Sequence, residues 1–578
     1  MPERPGLMNA PSADRAALNL RWAYALLDGL AAAGTGSLVI SPGARSTPLT
    51  LAAIRHPGLE THLQIDERSA AFFALGLARA QGRPVALVAT SGSAPAHWHP
   101  AVIEADRAGV PLLLLSADRP PEQQDCGANQ TVDQLRLFGT AVRGFHQAGV
   151  PATETLDQAR ALGVHAAHQA QWPLPGPVHV NLPFREPLVP GAGVRFDAPG
   201  PAVPVARPQL RVPEEQLARV VERLSGHPGL IVCGPGDFEA DFAAAVTTLA
   251  AHLDCPLLAD PLSGLRFGSH DRRRVLCHYD AFLRRDTFHR RHRPAWVLRF
   301  GAMPVSRALL DYLEGLAPGA LILVEPHGRW PDPLHRVGEM VRASPAGFCR
   351  ALAERLQASA RTDWTGAFLA EEARAAGLAA ELAKADDWFE APLLARLLER
   401  LPGGAWLFSG NSLPIRDLDS FSGSGPRPLR LLANRGASGI DGNIATLLGL
   451  AAAAPAPVTG LIGDLAFAHD HASLLGARNI DATLIVINNG GGGIFRQLPQ
   501  AGLPEFAPYW LTPPGLEVAE VARCHRLPFW RVADAAAFEQ ALGEAGETEG
   551  VRLIEAIVDP ELSLDRRRAY WAALADSP

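Results

Sequence analysis

The chain has 578 residues, 47% hydrophobic and 20% charged, with a formal net charge of −7 at pH 7. It reads as a soluble globular chain of roughly three domains at ~150–200 residues each, with no global attraction for nucleic acid. No apolar run reaches the ~18 residues of a membrane span, and the N-terminal segment around Arg15 and Arg21 lacks the positive-then-apolar pattern of a secretion signal. Cys126, Cys233, Cys255, Cys277, Cys349 and Cys524 never fall in a Cys-x-x-Cys pair. That spacing points to reduced thiols in a cytoplasmic protein, without a zinc site or disulfide framework.

In the first region the apolar run Ser37 to Ile40 leads into Pro42-Gly43, and His62 to Ile65 leads into Asp66-Glu67-Arg68 and an apolar helix, Ala70 to Ala78. Val85 to Ala89 then leads into Thr90-Ser91-Gly92, and Pro111 to Leu115 into Ala117-Asp118-Arg119. A glutamate that opens a helix satisfies the helix dipole, so Glu67 taken alone marks no site. Residues 173 to 213 are crowded with proline and glycine and end this region. In the second region Leu230 to Cys233 precedes Gly234-Pro235-Gly236, Trp296 to Phe300 precedes Gly301, and Ala320 to Val324 precedes Glu325-Pro326. Gly234-Pro235-Gly236 lacks the third glycine of a dinucleotide fingerprint and reads as a plain strand-to-helix turn. The basic run Arg284 to Arg293 contains one aromatic residue, Phe288, and no binding motif, so it reads as a solvated face.

Residues 360 to 388, rich in alanine and glutamate and helix-prone, separate the second region from the third. They include Lys384, the only lysine of the chain, with no glycine loop near it. A Walker A loop and a pyridoxal-phosphate Schiff base both need a lysine in a defined setting, so both chemistries are excluded. In the third region Val458 to Ile462 leads into Gly463-Asp464-Leu465. Phe467 to Asn479 reads as a crossover helix, and Ala482 to Ile487 leads into Asn488-Asn489 and the glycines Gly490 to Gly493. Strands alternating with helices in all three regions predict an α/β chain of three doubly wound parallel sheets.

A βαβ unit of this kind places Asp464 and Asn489 at the carboxyl ends of two strands, where open α/β sheets bind ligands. Either half alone reads as turn chemistry. Together, one carboxylate, one amide oxygen and the backbone carbonyls of the glycine run make a hard-oxygen site of the kind Mg²⁺ completes with phosphate and water.

Glu67, Gly463-Asp464 and Asn488-Asn489 resemble the motifs of the thiamine-diphosphate-dependent enzymes. The resemblance implies a pyrimidine-binding domain (1–190), a middle domain (205–358) and a diphosphate-binding domain (385–578). Leu465 stands where that family often has glycine. Ser41-Pro42-Gly43-Ala44-Arg45-Ser46-Thr47-Pro48, Ala117-Asp118-Arg119-Pro120-Pro121, Asp125-Cys126-Gly127-Ala128-Asn129-Gln130, Gly410-Asn411-Ser412 with Arg416, and Asn434-Arg435-Gly436-Ala437-Ser438-Gly439-Ile440-Asp441-Gly442 are similar to the family's menaquinone-biosynthesis branch. That branch decarboxylates 2-oxoglutarate and adds the resulting succinyl carbanion to isochorismate.

The resemblance implies that Glu67 hydrogen-bonds the aminopyrimidine ring and that Ile440 is the wedge bending thiamine diphosphate. It implies that Asp464, Asn489 and the Gly491 carbonyl hold Mg²⁺ or Mn²⁺ on the diphosphate, and that Ile494, Phe495 and Leu498 line the apolar side. It also implies a homodimer, or a dimer of dimers, with active sites shared between chains. Both substrates are dicarboxylates, and arginine's planar fork matches a carboxylate with two parallel hydrogen bonds. Arg45, Arg119, Arg416 and Arg435 are all expected in loops after strands. Arg307 matches a basic family position, and Asn129, Gln130 and Ser412 are expected to orient carboxylate or hydroxyl groups. Ala44 and Ala308 stand where a serine and a second basic residue occur in the family. Two other readings remain open: an acetolactate-type enzyme acting on pyruvate, whose site would need few cations, and a non-catalytic relic.

Overall fold

The computed structural model describes residues 12–191, 193–196, 198–206, 208–357 and 362–575. Residues 1–11 at the start of the expected first domain, 358 at the end of the second and 576–578 at the end of the third lie outside the described residues. Three six-stranded sheets, parallel throughout, account for the strands among the described residues. The first contains β1 (Ser37–Ile40), β2 (Glu60–Leu63), β3 (Val85–Ala89), β4 (Leu112–Asp118), β5 (Gly144–Gln147) and β6 (Val178–Pro183), in the order β2-β1-β3-β4-β6-β5. The second contains β7 (Gly229–Cys233), β8 (Leu257–Ala259), β9 (Val275–Leu276), β10 (Trp296–Phe300), β11 (Leu321–Val324) and β12 (Val337–Val341), in the order β12-β11-β10-β7-β8-β9. The third contains β13 (Trp406–Ser409), β14 (Arg430–Ala433), β15 (Val458–Gly463), β16 (Ala482–Asn488), β17 (Phe529–Val532) and β18 (Val551–Ile557), in the order β14-β13-β15-β16-β18-β17.

The central strands are apolar on both faces because helices cover both. In β7, Ile231 and Cys233 join one core with the helix Phe242–Leu253, while Leu230 and Val232 join the opposite core with Tyr279, Leu309 and Phe368. No helix among the described residues is long and apolar enough to cross a membrane, and none of the six cysteines forms a disulfide. The chain divides into two compact units. One holds the described residues of Met1–Arg207 with Asn434–Ala454 and Asp470–Ile480; the other holds those of Pro208–Ala433, Pro455–His469 and Asp481–Pro578.

Four expectations shift. The strand before Glu67 is Glu60–Leu63 rather than His62 to Ile65, because β2 is an edge strand whose residues are largely exposed; Leu63 and Ile65 are each 69% exposed. Strand β6 lies inside the proline- and glycine-rich stretch, which therefore ends the first region only after Pro183. The β15–β16 crossover is a seven-residue helix, Asp464–Asp470, followed by the 3₁₀ segment His471–Gly476, so the helix starts on the carboxylate itself. In the basic run, Arg284, Arg290, Arg291 and Arg293 are exposed, but Arg285 is buried, 2.5 Å from Glu371 and against the Phe288 ring.

The helices Glu67–Gln81 and Asn443–Ala451 lie together in the first unit with their backbones almost touching. A Cβ on Gly449 would fall 2.0 Å from the Phe73 carbonyl oxygen, and one on Gly76 would fall 2.1 Å from that of Thr446. Gly442, at φ +64°, sits against the Phe72 ring. Gly449→Ala therefore has to push the helices apart, and overpacking of this kind costs about 1–3 kcal/mol. The thermal midpoint of the cofactor-free protein is expected to fall by several degrees. Gly543→Ala, on the exposed side of the helix Ala535–Gly546 with no atom near the new methyl, is expected to hold or raise it.

Candidate active site

Strands β15 and β16 are neighbours, with Gly463 opposite Ile487, so Asp464 and Asn489 leave the sheet side by side at its carboxyl edge. The Asp464 side chain is buried; Oδ1 accepts the Leu465 N–H and Oδ2 the Gly491 N–H, both at 2.7 Å. Burial pushes its carboxyl up to about 6, against the downward pull of those N–H donors. Gly491, at φ +129°, has no room for a side chain, since a Cβ would lie 2.1 Å from the Leu511 carbonyl oxygen. The Asn489 Oδ1 is buried without a hydrogen-bond partner among the described residues. A buried acceptor left open costs about 1–3 kcal/mol, so this oxygen is set for a donor or cation not supplied by the chain. One carboxylate, one open amide oxygen and a glycine backbone suit Mg²⁺ on a phosphate. No cluster of three His, Cys, Asp or Glu side chains that could hold a metal occurs among the described residues. Ile494, Phe495 and Leu498 come in and after the 3₁₀ turn Gly493–Gln497, partly exposed.

In the same unit Ser412 precedes the helix Leu413–Phe421 at φ +72°, ψ −124°, a conformation costing a non-glycine residue about 1–3 kcal/mol. Arg416 lies within this helix rather than in a loop, because the helix begins directly after the serine. Its Nη1 donates to the Ser412 carbonyl at 2.7 Å, and burial draws the guanidinium below its usual value. Beside it, Asp417 and Glu390 are buried with a single guanidinium, Arg567, 2.5 Å from Asp417. Burial pushes the Asp417 carboxyl up to about 7. Arg307, at the start of the helix Arg307–Glu314, is exposed and paired with Asp311 at 2.7 Å.

The first unit presents the other expected residues. Glu67, half-buried, opens the helix Glu67–Gln81, whose N-cap is Asp66, accepting the Arg68 N–H. Arg45 is buried in the loop after β1; it donates to the Phe184 carbonyl at 2.9 Å and to Glu186 Oε1 at 2.8 Å. Arg119, after β4, approaches the same Glu186 oxygen at 3.7 Å. The Nε–H groups of both arginines are buried and have no acceptor among the described residues. Two guanidinia thus converge on one exposed carboxylate and keep donors in reserve. Gln130, at φ +54°, is tied to Ser91 by a reciprocal pair of bonds, its Nε2 donating to the Ser91 carbonyl at 3.0 Å; Asn129 beside it is exposed. Arg435 and Ile440 lie on the loop before the helix Asn443–Ala451, with Ile440 38% exposed.

The sequence reading missed Glu104, Asp470, Glu186, Glu390 and Asp417. For Glu104 a signal existed: it falls at helical spacing with Ala101 and Ala105 on the buried face of His99–Ala108. A charge on an apolar stripe has to have a partner. Glu186 carried no such signal, since it comes after β6 in a stretch without period.

Three family models match in order: the N-terminal TPP binding domain of thiamine pyrophosphate enzymes over residues 20–137, their middle domain over 202–409 and their C-terminal TPP binding domain over 422–556. The 2-succinyl-5-enolpyruvyl-6-hydroxy-3-cyclohexene-1-carboxylate synthase of Dechloromonas aromatica is 44% identical, over 94% of this chain and 99% of its own. The enzyme of that name from Geobacillus kaustophilus is 44% identical over 96% and 97%. The chain belongs to this synthase family of the thiamine pyrophosphate enzymes. The synthase of that name from Chloroflexus aurantiacus is 42% identical over 96% of both chains. A Rhodococcus jostii thiamine diphosphate-dependent 4-hydroxybenzoylformate decarboxylase matches with a TM-score of 0.70 over 94% of this chain and 99% of its own, at 18% identity, a likeness of fold alone.

The raised Asp464 carboxyl sets a pH dependence. A proton on that group would have to leave before it ligated a cation, so Mg²⁺-dependent binding of thiamine diphosphate is expected to be full only well above pH 6. Below that pH it is expected to weaken about tenfold per unit. Calorimetric titration with thiamine diphosphate at fixed Mg²⁺ between pH 5 and 8 checks this; a flat profile removes Asp464 from the metal site.

Proposed function

We propose that the chain decarboxylates 2-oxoglutarate and adds the resulting four-carbon succinyl unit to isochorismate. The products are 2-succinyl-5-enolpyruvyl-6-hydroxy-3-cyclohexene-1-carboxylate and carbon dioxide, in menaquinone biosynthesis. The observation that carries this reading is the Asp464–Asn489 pair, a buried carboxylate beside an open amide oxygen on adjacent strand ends. Thiamine diphosphate, when bound, supplies the electron sink for the bond cleavage. Asp464, Asn489 and the Gly491 carbonyl hold Mg²⁺ or Mn²⁺ on its diphosphate, with Ile494, Phe495 and Leu498 as the apolar wall. Glu67 would hold a proton at the aminopyrimidine ring, and Ile440 would be the wedge against which the cofactor packs.

The substrates bring four carboxylates between them. Arg45 and Arg119 take one, exchanging Glu186 for it and using their reserve Nε–H donors; Arg416 and Arg435 serve the others. Ser412, Asn129 and Gln130 orient carboxylates and hydroxyls. Arg307 joins this set only by leaving Asp311. The domains run 1–190 for the pyrimidine ring, 205–358 in the middle and 385–578 for the diphosphate. The protein works in the cytoplasm as a homodimer or dimer of dimers, each site taking Glu67 from one chain and Asp464 from another.

Carbon dioxide release from 2-oxoglutarate, measured with and without isochorismate, tests the reading. Wild-type protein with thiamine diphosphate and Mg²⁺ is expected to turn over steadily only with both substrates. Glu67→Gln is expected to lose about 10²-fold or more in kcat while still binding the cofactor. A preference for pyruvate as donor, or near wild-type turnover in Glu67→Gln, overturns it.

A further inference from the structure

The loop that carries Arg435 and Ile440 is held by a carboxylate from another part of the first unit. Glu104, on the helix His99–Ala108, is 3% exposed, and its two oxygens accept three successive backbone N–H groups: Gly436 at 2.7 Å, Ala437 at 2.6 Å and Ser438 at 3.4 Å. Successive N–H groups aimed at one anion form a nest, and Ser438, at φ +64°, gives the loop the turn this requires. Gly436 lies against the same helix so closely that a Cβ would fall 2.5 Å from the Glu104 carbonyl oxygen. At the far end of the loop buried Asp470 accepts the N–H groups of Ile444 at 2.7 Å and Ala445 at 3.1 Å, and pairs with Arg68, the neighbour of Glu67.

Between these anchors the loop has little beneath it. A cavity of about 270 Å³ opens there, lined among others by Phe72, His99, Ile103, Glu104, Ala437 and Asp441. Ala437 and Ser438 are exposed, so hydrogen bonds rather than packing hold the middle of the loop: those to Glu104, and Asn443 Nδ2 to the Ile440 carbonyl at 2.6 Å. A buried carboxylate is costly unless it is fully bonded, and here its bonds fall on the residues directly after Arg435.

We propose that Glu104 is a positioning residue that sets Arg435 and Ile440 in their working geometry by gripping the backbone between them. The proposal rests on the proposed roles of Arg435 in substrate binding and Ile440 in cofactor bending. Activity and loop order are measured in Glu104→Gln, Glu104→Ala, Arg435→Ala and the double variant Glu104→Ala/Arg435→Ala. Glu104→Ala is expected to lower kcat/KM for isochorismate about 10- to 100-fold, and Glu104→Gln about 3- to 10-fold because its amide oxygen still accepts. The double variant is expected to be close to the worse single variant, since coupled residues are not additive.

In the cofactor-free protein, amide hydrogen exchange at Gly439 and Ile440, which Glu104 does not bond, is expected to quicken at least tenfold. Exchange within the helix Asn443–Ala451 is expected to hold. Should Glu104→Ala not fold, the same comparisons are made with Glu104→Gln. Wild-type kcat/KM in the Glu104 variants with Arg435→Ala impaired overturns the proposal and leaves the site reading intact. Fully additive losses, or unchanged exchange at Gly439 and Ile440, also overturn it. Wild-type activity in Arg435→Ala instead overturns the site reading on which it stands.

Discussion

The site depends on one constraint: two adjacent parallel strands, β15 and β16, end together, one running into a carboxylate and the other into an amide. Parallel strands leave the sheet in the same direction, so their first loop residues share one edge. The burial of Asp464 results from that edge, with helix and glycine run closing over it. Burial in turn raises the Asp464 carboxyl to about 6 in spite of its N–H donors, and a cation would relieve that cost directly. The open oxygen of Asn489 has the same character. Asp464 has two backbone N–H donors, whereas the Asn489 oxygen has no partner among the described residues, as is expected of an acceptor kept for a ligand.

Three buried acids order backbone through its N–H groups, and one of them, Asp470, also pairs with Arg68. Glu104 binds three loop amides, Asp470 caps the helix Asn443–Ala451, and Asp464 accepts from Leu465 and Gly491. Charge-assisted bonds to main-chain N–H are stronger than neutral ones, so each acid holds the backbone it bonds. The arginines do the opposite work. Arg45 and Arg119 keep unspent donors and share a single exposed acid, Glu186, an arrangement that an incoming carboxylate can replace without leaving a buried charge bare.

The central strands are legible because their apolar runs are continuous: β1, β3, β10 and β16 fall within a residue of the runs in the sequence. The edge strands are not. β2 is exposed and its run in the sequence is displaced by two residues, β9 has two residues and shows no run, and the internal strand β18 carries the buried charges Arg552 and Glu555 that break the pattern of a core strand. Asp464 and Asn489 can be read because strand end and residue type coincide. Arg416 reads as a loop residue because Pro414 hides the helix that begins at Leu413; proline is tolerated in the first turn. Glu104 and Asp470 act across long sequence separations on backbone atoms, and no side-chain pattern records which amides a carboxylate will meet.

The most direct test replaces Mg²⁺ with Mn²⁺ and counts the metal by electron paramagnetic resonance. With thiamine diphosphate present, wild-type protein is expected to bind one Mn²⁺ per chain, with phosphorus hyperfine coupling from the diphosphate. Asp464→Asn and Asn489→Leu are each expected to weaken that binding at least tenfold while the fold persists. Stoichiometric Mn²⁺ of unchanged affinity in both variants would contradict the account.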